Sequence, residues 1–352
     1  MNVWQVACGE PQRDYREVFF KYDVMLIGPG DHGAFEKKLY KRAVKGGEVT
    51  KSHYSQISNF ANSPQPGDVV LLRLGHSIVG VGVIPPESAG GYGWSNAFSD
   101  VKEWNLQHYR RVAWGSSRLI GLIQGGTPLF SNYKQQATFT RVHEERILRK
   151  INLLKGKSPS RRLKGLPSDE KDLSNEKYGQ ELFKSGLSNE SVEKAIDAIE
   201  KACRLQNWYW NEDFYPAEHE IIAHMTIPLM LALGWSEQLM AVEWEKIDLA
   251  FFDRAPRKPE NCVMICEGKR PHRPLESALG QAKDYVKSKG LRRCKTILLT
   301  SGTRILIYKR KGASWSHHGY VNLERLKKQY IAVEGLNASD SLIGLIPSRI
   351  SH

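Results

Sequence analysis

Cys262-Val-Met-Ile-Cys-Glu-Gly-Lys269 is an apolar, partly β-branched run that ends in an acid, a glycine and a base. Just before it stands a second such run, Trp244-Glu-Lys-Ile-Asp-Leu-Ala-Phe-Phe252, with Asp248 near its start. Both are bounded by Pro, Asn and Arg, as a pair of buried strands should be. Pro256-Arg-Lys-Pro-Glu-Asn261 between them reads as a hairpin loop. Alternate side chains of a strand share a face, so Glu267 and Lys269 point the same way, in line with Val263 and Ile265. A carboxylate and an amine on a core-facing row must be paired, metal-bound or at the rim of a cleft.

Hydrolysis of a phosphodiester calls for such a set. Two carboxylates, Asp248 and Glu267, suit Mg²⁺ (or Mn²⁺ in its place), because a hard cation prefers oxygen ligands. The ion polarises a phosphoryl oxygen and activates water, and Lys269 beside it can orient that water or neutralise charge on the phosphorane. Taken alone, Glu267-x-Lys269 also fits an ordinary ion pair on an edge strand, so the surroundings decide.

Those surroundings resemble a family. The order is a helix with Glu220, a strand with Asp248, a strand with Glu267-x-Lys269, then a helix with Gln281-Ala-Lys-Asp-Tyr285. It is similar to the PD-(D/E)XK nuclease superfamily, in the form found at the N-terminus of type I restriction motor subunits, where a Gln-x-x-x-Tyr motif marks that helix. Gln281 and Tyr285 share one helical face at i and i+4. The stretch at 228–235 resembles the helix end before the first core strand, and 296–308 the closing hairpin. The resemblance covers roughly residues 216–345 and departs from the family at Ile247, where a Pro is usual. It implies catalytic roles for Glu220, Asp248, Glu267, Lys269 and Gln281, with Asp248 and Glu267 as metal ligands. Glu218 competes with Glu220 for the helical acid, and the family's pattern favours Glu220.

The whole chain has 352 residues, room for two cores, and a formal net charge of +13, which suggests a polyanionic partner. Its five cysteines are odd in number and form no CxxC pair, fitting a reducing cytoplasm without a disulfide framework or zinc knuckle. The first residues carry no signal-peptide pattern, and no apolar run approaches the roughly 20 residues that span a bilayer. A cytoplasmic protein without a membrane partner is expected.

Residues 1–150 read as many short strands with Gly-rich turns, among them 3–7, 24–27, 68–73, 77–84, 109–114 and 119–123, which suggests a small barrel. Trp4, Gly67-Asp68-Val-Val, Val79-Gly-Val-Gly-Val83 and Arg111-Val-Ala-Trp114 resemble the PUA-like superfamily, and within it the EVE type. That resemblance implies a pocket for a modified, flipped base, whose rings stack on aromatic side chains. Trp4, Trp94 and Trp114 are the preferred rings, with Trp104 a fourth; a tryptophan in a small barrel is otherwise a core residue. Gly28-Pro-Gly-Asp-His-Gly33 satisfies GxGxxG, but no second parallel strand with a terminal acid follows, which argues against a dinucleotide fold.

Residues 151–207 read as a basic linker and helical connector, and 208–352 as the nuclease domain. From Arg146 to Lys164 there are Lys and Arg residues but no acid. Such a run is either a solvated face or a grip on phosphates; Arg161, Arg162 and Lys164 there, and Arg292 and Arg293 downstream, are the candidates for the DNA backbone. His219-Glu-Ile-Ile-Ala-His224 misses a zinc-protease HExxH by one residue, which puts its two histidines about 140° apart on a helix. The expectation is an α+β protein of two domains, a PUA-like β-barrel followed by an α/β PD-(D/E)XK core. It would be a modification-dependent DNA restriction endonuclease serving antiviral defence, acting on double-stranded DNA as a homodimer so that two sites cut two strands. The rivals are an RNA or single-strand nuclease and a non-cleaving DNA-binding module.

Overall fold

Apolar runs punctuated by glycine and proline become sheets in the computed structural model, which describes residues 1–352 except 11–12, 103, 116–136, 153–161, 169–170, 213, 215, 272, 334–335 and 351–352. Contacts divide the chain into two compact units, Met1–Glu170 and Lys171–His352. The strands of the first unit are β1 (Val3–Ala7), β2 (Gly9–Glu10), β3 (Arg13–Asp14), β4 (Val24–Ile27), β5 (Val69–Leu74), β6 (Ser77–Val83), β7 (Tyr92–Trp94), β8 (His108–Arg111), β9 (Ala113–Trp114) and β10 (Phe139–Arg141). Those of the second are β11 (Met240–Trp244), β12 (Ile247–Phe252), β13 (Cys262–Gly268), β14 (Thr296–Thr300), β15 (Arg304–Lys311) and β16 (Ser314–Asn322). Among the described residues no helix is long and apolar enough to cross a membrane.

The first unit holds a five-stranded sheet in the order β10-β1-β5-β6-β9 and a three-stranded sheet in the order β4-β8-β7. β8 and β9 flank Val112, whose N–H bonds to the Asp23 carbonyl, so one stretch of chain serves both sheets. Among the described residues the sheets do not close, which corrects the expected barrel to an open, mixed α+β arrangement. Helices account for the difference: Lys37–Lys45 and Lys51–Asn62 stand between β4 and β5, and bury Tyr40, Ala43, Ile57 and Phe60. β4 runs antiparallel to β8, so the GxGxxG stretch opens no parallel unit there. The strand expected at 119–123 lies outside the described residues.

In the second unit six strands run β11-β12-β13-β14-β15-β16. β13 and β14 are parallel, joined through the helix Ala278–Ser288, and every residue of both is buried. Covered on both faces, they read in sequence as continuous apolar runs. The segment expected to be a connector packs into this unit. Asn189–Asn211, capped by Ser188 on the Ser191 N–H, buries Ala195, Ala198, Ile199 and Ala202 in the same core as the strands.

The helix beginning at Glu218 changes pitch on the way. Glu218–Ile221 is α-helical, Ile222–Thr226 is a π turn, and Ile227–Ala232 is α-helical again. Pro228 lacks the N–H an α-helix would need, and the wider turn, closed by the Ile227 N–H on the Ile222 carbonyl, admits it. This segment lies on the turn after β14, where Gly302 takes φ +92°. A Cβ added there would sit 2.2 Å from Met225 Sδ and 3.2 Å from Ile221 Cγ2. Gly302→Ala is therefore expected to destabilise the second unit by roughly 1–3 kcal/mol, read from denaturant unfolding.

Candidate active site

β12 and β13 are antiparallel neighbours with Leu249 opposite Cys266. Continuing that register one step sets Asp248 opposite Glu267 on one face of the sheet, at the end of β13. The other face at this level is closed by a helix: a Cβ on Gly268 would stand 3.4 Å from the Glu218 carbonyl and the Ile222 side chain. Asp248 Oδ2 accepts from the Gly268 N–H at 2.7 Å. The next residue, Lys269, is anchored by its N–H on the Thr300 carbonyl, and its Nζ stands 3.5 Å from Glu218 Oε2.

Glu267 is 1% exposed, and among the described residues its Oε1 has no hydrogen-bond partner. Burial and then the neighbouring Asp248 push its carboxyl up to about 8, against the pull of Lys269. Burial also raises Asp248, against the Gly268 N–H and Lys269. Two acids side by side in a poorly solvated place resist ionising together. A cation relieves both at once.

Among the described residues no group of three or more His, Cys, Asp or Glu side chains is gathered as a ready metal cage. The Asp248–Glu267 pair nevertheless fits Mg²⁺, which typically takes one or two carboxylates and completes its shell with water and substrate phosphate. The orphaned Glu267 Oε1 is the acceptor that such an ion would use.

The helical acid near this pair is Glu218. Glu220 is turned back, with Oε2 accepting from the Ala217 N–H at 2.7 Å, where it caps the helix start. A glutamate at the third helical position favours that role, and this is the signal that separates the two acids. Gln281 and Tyr285 do share a face, with the exposed Gln281 donating from Nε2 to the Tyr285 hydroxyl at 3.0 Å. His219 and His224 are both exposed.

In the first unit the tryptophans divide. Trp4 is buried, stacked on Phe139 at 5.1 Å, with Nε1 donating to Asp68 at 2.9 Å. Trp114 is buried, with Nε1 shared between the Phe19 and Val24 carbonyls. Both are core residues whose ring faces are buried, unlike the rings expected to meet a base. Trp104 is exposed beneath the Arg13 guanidinium. Trp94 is half-buried, and its Nε1 donates to the Gly30 carbonyl at 2.8 Å.

Around Trp94 lie residues that composition alone did not mark. His108 is fully buried, with Nδ1 2.8 Å from the Tyr92 hydroxyl and Nε2 within 3.1 Å of the Tyr40 hydroxyl and the Pro29 carbonyl. The Pro29 carbonyl only accepts, so Nε2 carries the proton and Nδ1 accepts from Tyr92. Tyr92 in turn accepts from the Phe35 N–H, and Tyr40 donates to the Gly33 carbonyl. The network fastens the loop from Gly28 to Phe35 against β7 and β8. Next to it, Gln107 is 3% exposed, and among the described residues its Oε1 has no partner. A cluster assembled from residues 29 to 108 leaves no local spacing to read.

Of the candidate backbone cations, Arg161 lies outside the described residues and Arg162 is exposed. Lys164 is spent locally, with Nζ on the Phe20 carbonyl at 3.0 Å and N–H on Asp23 at 2.9 Å. Arg293 pairs with Asp253 at 2.7 Å, whereas Arg292 is exposed.

A family model described as a domain of unknown function (DUF8426) matches residues 4–123, within the first unit. No curated protein matches the chain.

Two outcomes are expected. Mg²⁺ should raise the melting midpoint of the second unit at pH 8, and Glu267→Gln should abolish that rise; calorimetry with Mg²⁺ or EDTA measures it. In the first unit, burial holds His108 down to about 4 from its usual 6.5. A base kept neutral in the folded state contributes stability that is present above about pH 6.5 and lost as pH falls toward 4. The midpoint of the first unit should fall across that window, and His108→Gln should start lower and vary less.

Proposed function

We propose that the chain is a Mg²⁺-dependent DNA endonuclease of the modification-dependent restriction kind, whose first unit reads a modified base and whose second unit hydrolyses the phosphodiester. The observation that carries the reading is the buried Asp248–Glu267 pair, with one carboxylate oxygen unpartnered and the Lys269 ammonium close by. A carboxylate this deeply buried beside a second acid, with a raised pKa and an unsatisfied oxygen, is the kind of group that marks a functional site.

Asp248 and Glu267 would hold the ion, which supplies polarisation of the phosphoryl oxygen and a more acidic water. Asp248 is fixed for that task by the Gly268 N–H. Lys269, 16% exposed and held toward Glu218, would move its ammonium onto a non-bridging phosphate oxygen and balance the charge that builds there. Gln281 sits with Tyr285 on the helix following β13 and would line the approach of the strand. In the first unit, the Trp94 ring would stack on a flipped base, and the unpartnered Gln107 Oε1 would accept from its edge. Cutting both strands would take two copies of the chain on one duplex.

Cleavage of plasmid and phage DNA, unmodified or bearing methylated, hydroxymethylated or glucosylated cytosine, tests both halves. Cutting is expected on one modified DNA, abolished by EDTA and lowered roughly 10²–10³-fold by Lys269→Ala. Trp94→Ala should erase the preference between modified and unmodified DNA. Tight binding without cutting of any DNA would sink the nuclease half and favour a DNA-binding module; cutting of RNA alone would replace the substrate.

A further inference from the structure

At the far end of the second unit's sheet from Glu267, three cations gather around an open cavity of about 270 Å³ lined by Arg292, Lys295, Arg310 and Gly312. Thr296 pairs with Met264 and Leu299 with Glu267 across β13 and β14. Lys295 therefore lies four residues before the level of the acidic pair, roughly 13 Å along the strand. We propose that this cavity binds a phosphate of the backbone of a bound nucleic acid, apart from the site of hydrolysis.

The chain brings the three side chains together by register. The Arg310 N–H bonds to the Lys295 carbonyl at 2.9 Å, and Arg292 sits in the turn that leads into β14. Arg310 Nε donates to the Gly312 carbonyl at 3.1 Å, which fixes the guanidinium plane and leaves its two terminal nitrogens for an outside acceptor. Gly312 takes φ +61° in the tight turn between β15 and β16, and a Cβ added there would meet no atom within 4 Å, so the mouth is open.

What sets these three apart is that they face one cavity without a counter-charge. Their neighbours Arg293 and Lys289 are paired with Asp253 and Glu245. Among the described residues Arg292, Lys295 and Arg310 have no carboxylate partner, so three positive charges converge on one space without compensation. A fixed guanidinium beside two further cations matches the several oxygens of a phosphate. Among the described residues the lining has no apolar side chain to hold the body of a peptide or a base. A backbone phosphate, gripped without reading sequence, is the ligand that suits it.

This inference rests on the nucleic-acid reading of the second unit but not on cleavage. The test is fluorescence polarisation of the full chain on a labelled duplex, in EDTA, across a series of NaCl concentrations. Arg292→Ala combined with Arg310→Ala should weaken binding and reduce the slope of log affinity against log salt by about 1 or more. Lys177→Ala combined with Lys201→Ala removes the same charge from exposed helical positions and serves as the control. A slope no different from the control overturns the proposal. A parallel arm measures the melting midpoint with sodium pyrophosphate. Protection lost in the arginine variant, together with an unchanged duplex slope, would overturn the nucleic-acid source and assign the cavity to a free phosphate ester. Because no cutting is measured, a reduced slope in a protein that never cleaves would leave this inference standing while the nuclease reading fell.

Discussion

The second unit is built to hold two carboxylates where carboxylates are least comfortable. Asp248 and Glu267 lie at the end of the central strands, opposite one another by register, and burial raises both. One N–H, from Gly268, and one ammonium, on Lys269, offset the cost only in part. The strain is sustained because everything beneath it is conventional: β13 and β14 are covered on both faces, and their pairing runs unbroken up to Gly268 and Thr300. A well-satisfied scaffold is what lets a fold carry such local disfavour.

The first unit spends its aromatic residues differently. Trp4 and Trp114 are struts, each with its indole N–H tied to an acceptor inside the core. His108 is a rivet, joining the loop after β4 to the strands β7 and β8 through two tyrosine hydroxyls and a carbonyl. Rigid backing of this sort keeps a half-buried ring such as Trp94 in one orientation, a condition for stacking on a planar partner at small entropic cost.

What the sequence disclosed follows the range of the interaction involved. β12, β13 and β14 were legible because burial on both faces leaves an apolar run, and the hairpin and helix around them carry local signals. Glu267 and Lys269 were marked by that alternation, and Asp248 by its place in the neighbouring apolar run. Glu218 against Glu220 turned on a single capping bond to Ala217, which a family pattern does not encode. Trp4 and Trp114 lie in the core, and ring identity alone does not say which faces are buried. The open sheets of the first unit depend on where two short helices pack. The convergence of Arg292 with Arg310, eighteen positions apart in the chain, depends on how β15 returns beside β14.

The π turn at Ile222–Thr226 sets a rule of length for the whole segment. It inserts one residue more than an α-helix would use, and so fixes the angle between the face carrying Glu218 and the face carrying Leu229 and Met230, which are buried in the core. Deleting one residue inside it would rotate the two faces by about 100° relative to each other. Either Glu218 would swing away from Lys269 or the apolar side chains would leave the core. A substitution in this turn is felt where its side chain packs, whereas any change of length is felt at both ends.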